Sequence, residues 1–183
     1  MLRARKWSAR IAGGKQRHVI PPGVPGGKIR LGYFSADFNN HAAMHLIGRV
    51  LELHDKSRFE LHAYSFGIDP WDDFRQRAAD AVDHFHDVAS MSDEEVAALA
   101  RSHWLDIAVD LTGYTQDERP GIFAHGAAPL QMNYMGYPGT MGADFIDYII
   151  ADPVLIPETH RKFYSEKVVY LPNSYQPNDD RRG

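Results

Sequence analysis

Pro129-Leu130-Gln131-Met132-Asn133-Tyr134-Met135, followed by Gly136-Tyr137-Pro138-Gly139-Thr140-Met141-Gly142, is the stretch that decides how this chain folds. The first seven residues read as a strand. Three glycines and a proline in the next seven forbid a regular helix or strand and bring backbone N–H groups close to whatever lies over them. At the C-terminal end of a parallel strand, such a loop is where α/β proteins bind ligands. A second loop, Asp37-Phe38-Asn39-Asn40-His41, follows the first strand of the chain. The expectation is that these two loops face each other across one cleft.

Outward from the glycine loop, apolar runs and helical periods alternate. Strands are expected at 29–34, 59–66, 83–88, 105–111, 129–135, 145–150 and 167–171. The 105–111 run is almost continuously apolar, as in a strand covered on both faces. Helices are expected at 41–53, where Met44, Ile47, Val50 and Leu51 recur at three- and four-residue spacing, and at 72–81, 120–125 and 157–164. Asn39 or Asn40 is the expected cap of the first of these. Another helix begins at Ser92, with Glu95 three residues on completing a capping box. Asp69-Pro70 and Asp152-Pro153 mark turns, and Thr112-Gly113-Tyr114-Thr115 ends a strand in one. This alternation predicts an α/β fold: a Rossmann-like, mostly parallel sheet with helices on both faces.

The ends read differently. Residues 1–20 have room for one short helix, with Trp7 and Ile11 at i, i+4 spacing, and Pro21-Pro22-Gly23-Val24-Pro25-Gly26-Gly27 reads as a linker. The expected organisation is a basic arm and linker over 1–27, mostly mobile, a domain over 28–172, and a polar segment without core over 173–183, the start of a linker to a missing second lobe. The first 28 residues carry seven of the 20 basic groups and none of the 24 acids, so the remainder holds thirteen bases against 24 acids. A basic arm invites a nucleic-acid reading; the acidic body argues against it, because such a footprint needs a positive face on the folded domain.

Composition excludes other classes. Among 183 residues, 44% are apolar and none is cysteine, which removes disulfide scaffolds, thiolate metal sites and cysteine nucleophiles. No apolar run approaches the roughly 18 residues of a membrane span, and no secretory apolar region follows the basic start. The expected location is the cytoplasm.

His41 and His45 share a helix face at the zinc-protease spacing, but Ala42 stands where that motif needs its Glu. No metal site is expected, and His45 reads as a half-buried helix residue. His41, at the expected helix start, suits a neutral imidazole serving as base or hydrogen-bond partner, or else a plain surface histidine. Asp37 and Asn40 suit either sugar hydroxyls or a helix cap, and Tyr114 and Thr115 either a ligand or an ordinary turn. His84 and His86 share one face of a short strand and read as satisfied surface histidines. The glycine loop lacks the lysine of a P-loop, and no G-x-G-x-x-G follows the first strand.

Five blocks together resemble a known family. They are Ile29-Arg30-Leu31-Gly32-Tyr33-Phe34-Ser35-Ala36-Asp37-Phe38-Asn39-Asn40-His41, Leu111-Thr112-Gly113-Tyr114-Thr115, Met135-Gly136-Tyr137-Pro138-Gly139-Thr140-Met141-Gly142-Ala143, Asp147-Tyr148-Ile149-Ile150-Ala151-Asp152, and Tyr164-Ser165-Glu166-Lys167 with Leu171-Pro172. In order and spacing they are similar to the catalytic region of O-linked N-acetylglucosamine transferases and their SPINDLY-type relatives, glycosyltransferase family 41. The resemblance implies the N-terminal half of a GT-B glycosyltransferase, inverting and without metal or other cofactor. Its implied partners are a nucleotide sugar, typically UDP-N-acetylglucosamine, a protein acceptor with Ser or Thr, and the missing C-terminal lobe. That lobe would supply most nucleotide contacts, and without it the chain is expected to be inactive. The resemblance further implies that His41 lies in the active site, as the base or as a positioning residue, and that Met135, Gly136, Tyr137 and Pro138 lie near the donor sugar. Gly139, Thr140, Asp37, Asn40, Tyr114 and Thr115 complete the expected donor-binding set. Two other readings remain open: a non-catalytic protein-binding module built from such a lobe, and a lone flavodoxin-like nucleotide-binding domain.

Overall fold

The structure is a computed structural model that describes residues 2–12, 27–68 and 71–181. The Asp69-Pro70 turn and most of the Pro/Gly linker lie outside the described residues. In chain order the elements are α1 (Leu2–Ala12), β1 (Ile29–Ser35), α2 (Met44–Leu53), β2 (Phe59–Ser65), α3 (Asp73–Ala81), β3 (His84–Asp87), α4 (Asp93–Ser102), β4 (Ile107–Asp110), α5 (Gly121–Ala124), β5 (Leu130–Asn133), β6 (Tyr148–Ala151), a 3₁₀ helix (Glu158–Phe163) and β7 (Lys167–Tyr170). Every strand pairing is parallel, and the order is β3-β2-β1-β4-β5-β6-β7. The chain steps outward from β1 to β3, returns across the sheet to β4, and then steps outward the other way. The reversal opens a crevice between β1 and β4, the place where open α/β sheets bind ligands.

Alternation along the strands feeds two cores. On one face Leu31 and Tyr33 of β1 and Leu61 and Ala63 of β2 meet Met44, Ile47 and Leu51 of α2 and Ala78 of α3. On the other, Phe34 and Tyr64 stack at 4.4 Å and pack with Val96 and Ala100 of α4 and Phe123 of α5. Each fully buried large side chain of this kind contributes about 1.5–3 kcal/mol. Gln131 of β5 is one of several buried polar residues on the strands. Its Oε1 accepts from Ala127 N (2.7 Å), and its Nε2 donates to the carbonyls of Phe123 (2.9 Å) and Phe145 (2.6 Å). It thereby satisfies buried backbone on both sides of the strand.

The capping box forms as expected, with Glu95 N on Ser92 Oγ and Ser92 N on Glu95 Oε2. Asp72 caps α3 by accepting from Arg75 N at 2.7 Å. The start of α2 differs: the helix begins at Met44, Ala43 occupies the cap position, and no side chain caps it. Asn40 is engaged elsewhere, its N–H on Asp72 Oδ2 (2.6 Å) and its Oδ1 against His45 Nε2 (3.2 Å). The expected helix over 157–164 is a 3₁₀ helix.

Both ends depart from expectation more strongly. Within the arm, α1 is docked on the domain: Ser8 is buried and donates to the carbonyl of Gly142 at 2.7 Å, and Ile11 and Ala12 pack against the core beneath α4 and α5. Gly142 has φ +61°, and a Cβ there would lie 2.7 Å from both Ala4 Cβ and Arg5 N, so glycine permits this approach. The polar segment after β7 also packs. Tyr175 lies against the α2–α3 core, accepts from Tyr134 Oη (2.8 Å) and donates its N–H to Asp152 (2.8 Å), and buried Asp179 pairs with Arg77. Apolar content alone underestimated both segments because their anchors are backbone and ion-pair contacts.

Candidate functional site

A cleft of about 750 Å³ opens where β1, β4 and β5 end, at the reversal of strand order. The loop after β1 supplies Asp37, Asn39, Asn40, His41, Ala42 and Ala43, with Leu46 from α2 behind them. The loop after β4 supplies Thr115, Gln116 and Asp117, the end of β5 supplies Met135 and Gly136, and Asp72 closes one side.

Ser35 ends β1 and turns its Oγ back to accept Asp37 N (2.9 Å). The chain then coils tightly, His41 N donating to Asn39 O (2.7 Å) and His41 O accepting from Met44 N (3.0 Å). This holds the His41 ring at the cleft, with its side chain 53% exposed. Its Nδ1 accepts from Ala43 N at 3.2 Å, while Asp37 Oδ1 stands 3.7 Å away. The two neighbours oppose each other. Accepting from Ala43 places the neutral ring's proton on Nε2; a small rotation towards Asp37 instead favours Nδ1–H and frees the Nε2 lone pair. His45 is held apart from the cleft by Asn40 and by Phe74, whose ring it meets edge-on at 4.6 Å.

The glycine loop meets this cleft only through its first residues. A Cβ on Gly136 would sit 2.1 Å from the carbonyl oxygen of Leu111, so the close approach of β5's end to β4's end requires glycine. Met135 is held at φ +72°, a strained conformation for its side chain. Beyond Gly136 the loop turns away. Asn133 Nδ2 donates to Tyr137 O (2.8 Å), and the Tyr137 ring packs on Tyr114 (5.6 Å, 61°), whose Oη donates to Met141 O (2.9 Å). Pro138 O accepts from Tyr164 Oη (3.0 Å). Thr140 Oγ1 donates to Glu166 Oε2 (2.7 Å), and Glu166 Oε1 also accepts Met141 N (2.6 Å).

Of the residues singled out from sequence, the cleft therefore gathers Asp37, Asn40, His41, Thr115, Met135 and Gly136. Tyr114, Tyr137, Pro138, Gly139 and Thr140 are not among its lining and brace the loop from behind. Asp72, Gln116 and Asp117 line it without having been singled out. Asp72 had a readable signal as a helix cap, but nothing local tied it to Asn40. Beneath the β4 loop lies Asp110, fully buried, accepting Thr112 N (3.0 Å) and Gly113 N (2.9 Å). Burial pushes its pKa up to about 6. Among the described residues, the lining carries the carboxylates of Asp37, Asp72 and Asp117 and no Lys or Arg.

A family model, Glycosyl transferase family 41, matches residues 15–182. The chain belongs to glycosyltransferase family 41. A similar relative is the probable UDP-N-acetylglucosamine–peptide N-acetylglucosaminyltransferase SEC of Arabidopsis thaliana, 37% identical over 187 residues, covering 96% of this chain and 19% of that protein. The UDP-N-acetylglucosamine–peptide N-acetylglucosaminyltransferase of Caenorhabditis elegans is 34% identical over 151 residues, 82% of this chain and 13% of its own length. Among solved structures, a mutant of the Thermobaculum terrenum O-GlcNAc transferase superposes with a TM-score of 0.90 at 29% identity, over 96% of this chain and 34% of that one. This family-41 chain thus spans about a fifth or less of these curated relatives and about a third of the solved protein. The family resemblance and the Rossmann-like parallel sheet read from sequence both hold. Among the described residues, no helix is long and apolar enough to cross a membrane.

Proposed function

We propose that this chain is the N-terminal catalytic lobe of a protein O-GlcNAc transferase and is inactive until a C-terminal lobe closes over its cleft. The observation that carries this reading is the cleft itself. In a family-41 fold it sits at the reversal of strand order, with an imidazole and a neighbouring carboxylate at its mouth and, among the described residues, no Lys or Arg in its lining. Such a surface suits a sugar and an acceptor hydroxyl. Its carboxylates and the lack of Lys or Arg among its described lining disfavour a diphosphate, even with the N-terminus of α2 at Ala43 on its wall, and that duty falls to the other lobe.

In the proposed reaction the oxygen of an acceptor Ser or Thr bonds to the anomeric carbon of N-acetylglucosamine as the bond from that carbon to the UDP oxygen breaks. The bonding pair leaves with UDP, configuration inverts, and the hydroxyl proton passes to His41. Receiving it at Nε2 requires Nδ1 to carry the ring's other proton, so the ring must first turn from Ala43 N towards Asp37, which then favours that tautomer and stabilises the imidazolium formed. Asn39, Asn40, Thr115 and Gln116 offer amide and hydroxyl partners for sugar hydroxyls. No metal takes part in this scheme.

The test is a transfer assay with UDP-N-acetylglucosamine and a Ser/Thr peptide, using the chain alone and with a supplied C-terminal lobe, together with calorimetry of donor binding to the chain alone. Transfer only in the reconstituted assembly, with weak or no donor binding by the chain alone, is the expected result. Micromolar donor affinity of the isolated chain would overturn the division of labour. A reconstituted assembly that holds donor and peptide without transfer would favour a non-catalytic binding module.

A further inference from the structure

Away from the cleft, the structure assembles four histidines and a tyrosine on one face of the sheet. His62 and Tyr64 alternate along β2, His84 and His86 along β3, and the register sets His62 opposite His84 and Tyr64 opposite His86. His103, at the C-cap of α4, lies over the same face. His84 opens β3 and His103 precedes β4, so the group sits towards the strands' N-terminal ends, and the cleft lies at their C-terminal ends. We propose that His62, His86 and His103 form a site for a transition-metal dication of the Zn²⁺ class, which ties the edge strand β3 to α4.

Three observations carry it. First, one ligating nitrogen from each of the three rings lies within 4.8 Å of the others. Second, His62 Nδ1 and His86 Nε2 are 3.2 Å apart. Two nitrogens on a tetrahedral zinc, with bonds of about 2.0–2.1 Å, stand about 3.3–3.4 Å apart. Third, the outer nitrogens are already held. His62 Nε2 lies 3.2 Å from Glu60 Oε1, and His103 Nδ1 lies 2.7 Å from Tyr64 Oη. Outer partners of this kind fix the tautomer of metal-bound histidines. With Nε2–H of His62 donating to Glu60 and Nδ1–H of His103 donating to Tyr64, the lone pairs of His62 Nδ1 and His103 Nε2 are free to ligate.

Without metal, the short His62–His86 contact needs one N–H between the two rings, donated by His86 Nε2 when His62 Nε2–H serves Glu60. On binding, His86 shifts that proton to Nδ1 and offers Nε2; no net proton is released. The rings of His86 and His103 are stacked, 4.5 Å between centroids and 20° between planes, so the metal also requires one ring to swing out of the stack. His86, half-buried on the edge strand, has that freedom. The more exposed group of Glu60, His62 and His84 shares His62 and is the secondary geometry. His84 and His86 are thus not two independent surface histidines. The metal would lie outside the cleft and takes no part in the transfer proposed above.

The test uses this chain, stripped with a chelator, then titrated with Zn²⁺ by calorimetry and with Co²⁺ by visible absorption. Expected are one metal per chain, the intense visible bands of tetrahedral Co²⁺, and a rise in Tm on adding Zn²⁺. Affinity should fall at least about tenfold in His86→Gln and in His103→Gln. Glu60→Gln, which among the three proposed ligands touches only the outer nitrogen of His62 and otherwise pairs with His84 and Arg30, should weaken binding roughly 10–100-fold while preserving the stoichiometry. His41→Gln and His45→Gln should bind as the unmodified chain does. Metal-free Tm of each variant reports folding, and Glu60→Gln decides the matter if either inner variant fails to fold. No stoichiometric binding, binding unchanged in both His86→Gln and Glu60→Gln, or binding lost on changing His41 or His45 would overturn the proposal.

Discussion

Asp110→Asn probes how the wall of the cleft is held. Asp110 ends β4 with its carboxyl fully buried beneath the Thr112–Gly113 turn, and burial raises its pKa from 3.8 to about 6 against the pull of the two backbone N–H groups it accepts. In the unfolded chain the ordinary value returns. Between about pH 4 and about pH 6 the folded state therefore holds more protons than the unfolded state, and stability falls as pH rises through that window and is flat above it. About two pH units at about 1.4 kcal/mol each make the ionised carboxylate a burden of about 3 kcal/mol near pH 7. Asparagine keeps an oxygen for the same two N–H groups and carries no charge. Its amide nitrogen costs about 1–2 kcal/mol if it meets no acceptor. Urea unfolding near pH 7 should then show the variant more stable by about 1–3 kcal/mol, and near pH 4 the gain should vanish or reverse. Equal destabilisation at both pH values would refute the reasoning, since it would mean that the charge itself holds the turn.

Gly136→Ala places a methyl group 2.1 Å from the Leu111 carbonyl and should cost about 1–3 kcal/mol, read as a lowered Tm; unchanged melting would mean that the β4 and β5 ends are not locked together. Gln131→Leu strips partners from buried backbone groups of Phe123, Ala127 and Phe145 at about 1–3 kcal/mol each, so urea should unfold the variant far earlier. A midpoint close to that of the unmodified chain would contradict this. In an assembly with the C-terminal lobe, His41→Ala should lower turnover roughly 10²–10⁴-fold with normal melting, because the ring is half-exposed, and His45→Ala should cost far less. Full turnover from His41→Ala at both saturating and low donor would remove His41 from the site.

What the sequence by itself determined is what depends on neighbours a few residues apart. The alternation of strands and helices and the Ser92–Glu95 box arise from contacts within a turn or two, which composition and period record directly; the loop after β5 was legible from its glycines, but the Leu111 carbonyl that requires Gly136 is a tertiary contact. The five family blocks were legible because each is a short contiguous run, a strand or the loop beside one. The tertiary structure alone decided which strands are neighbours, and with that where the cleft opens. It gave Asn40 to Asp72, 32 residues away, and so moved the start of α2. It turned Tyr137 onto Tyr114 and left only Met135 and Gly136 of the glycine loop to face His41. It brought His62, His86 and His103 together across β2, β3 and the end of α4. Pairings of this kind are set by strand register and by which helix covers which face, and neither leaves a periodic trace in the residues that finally touch.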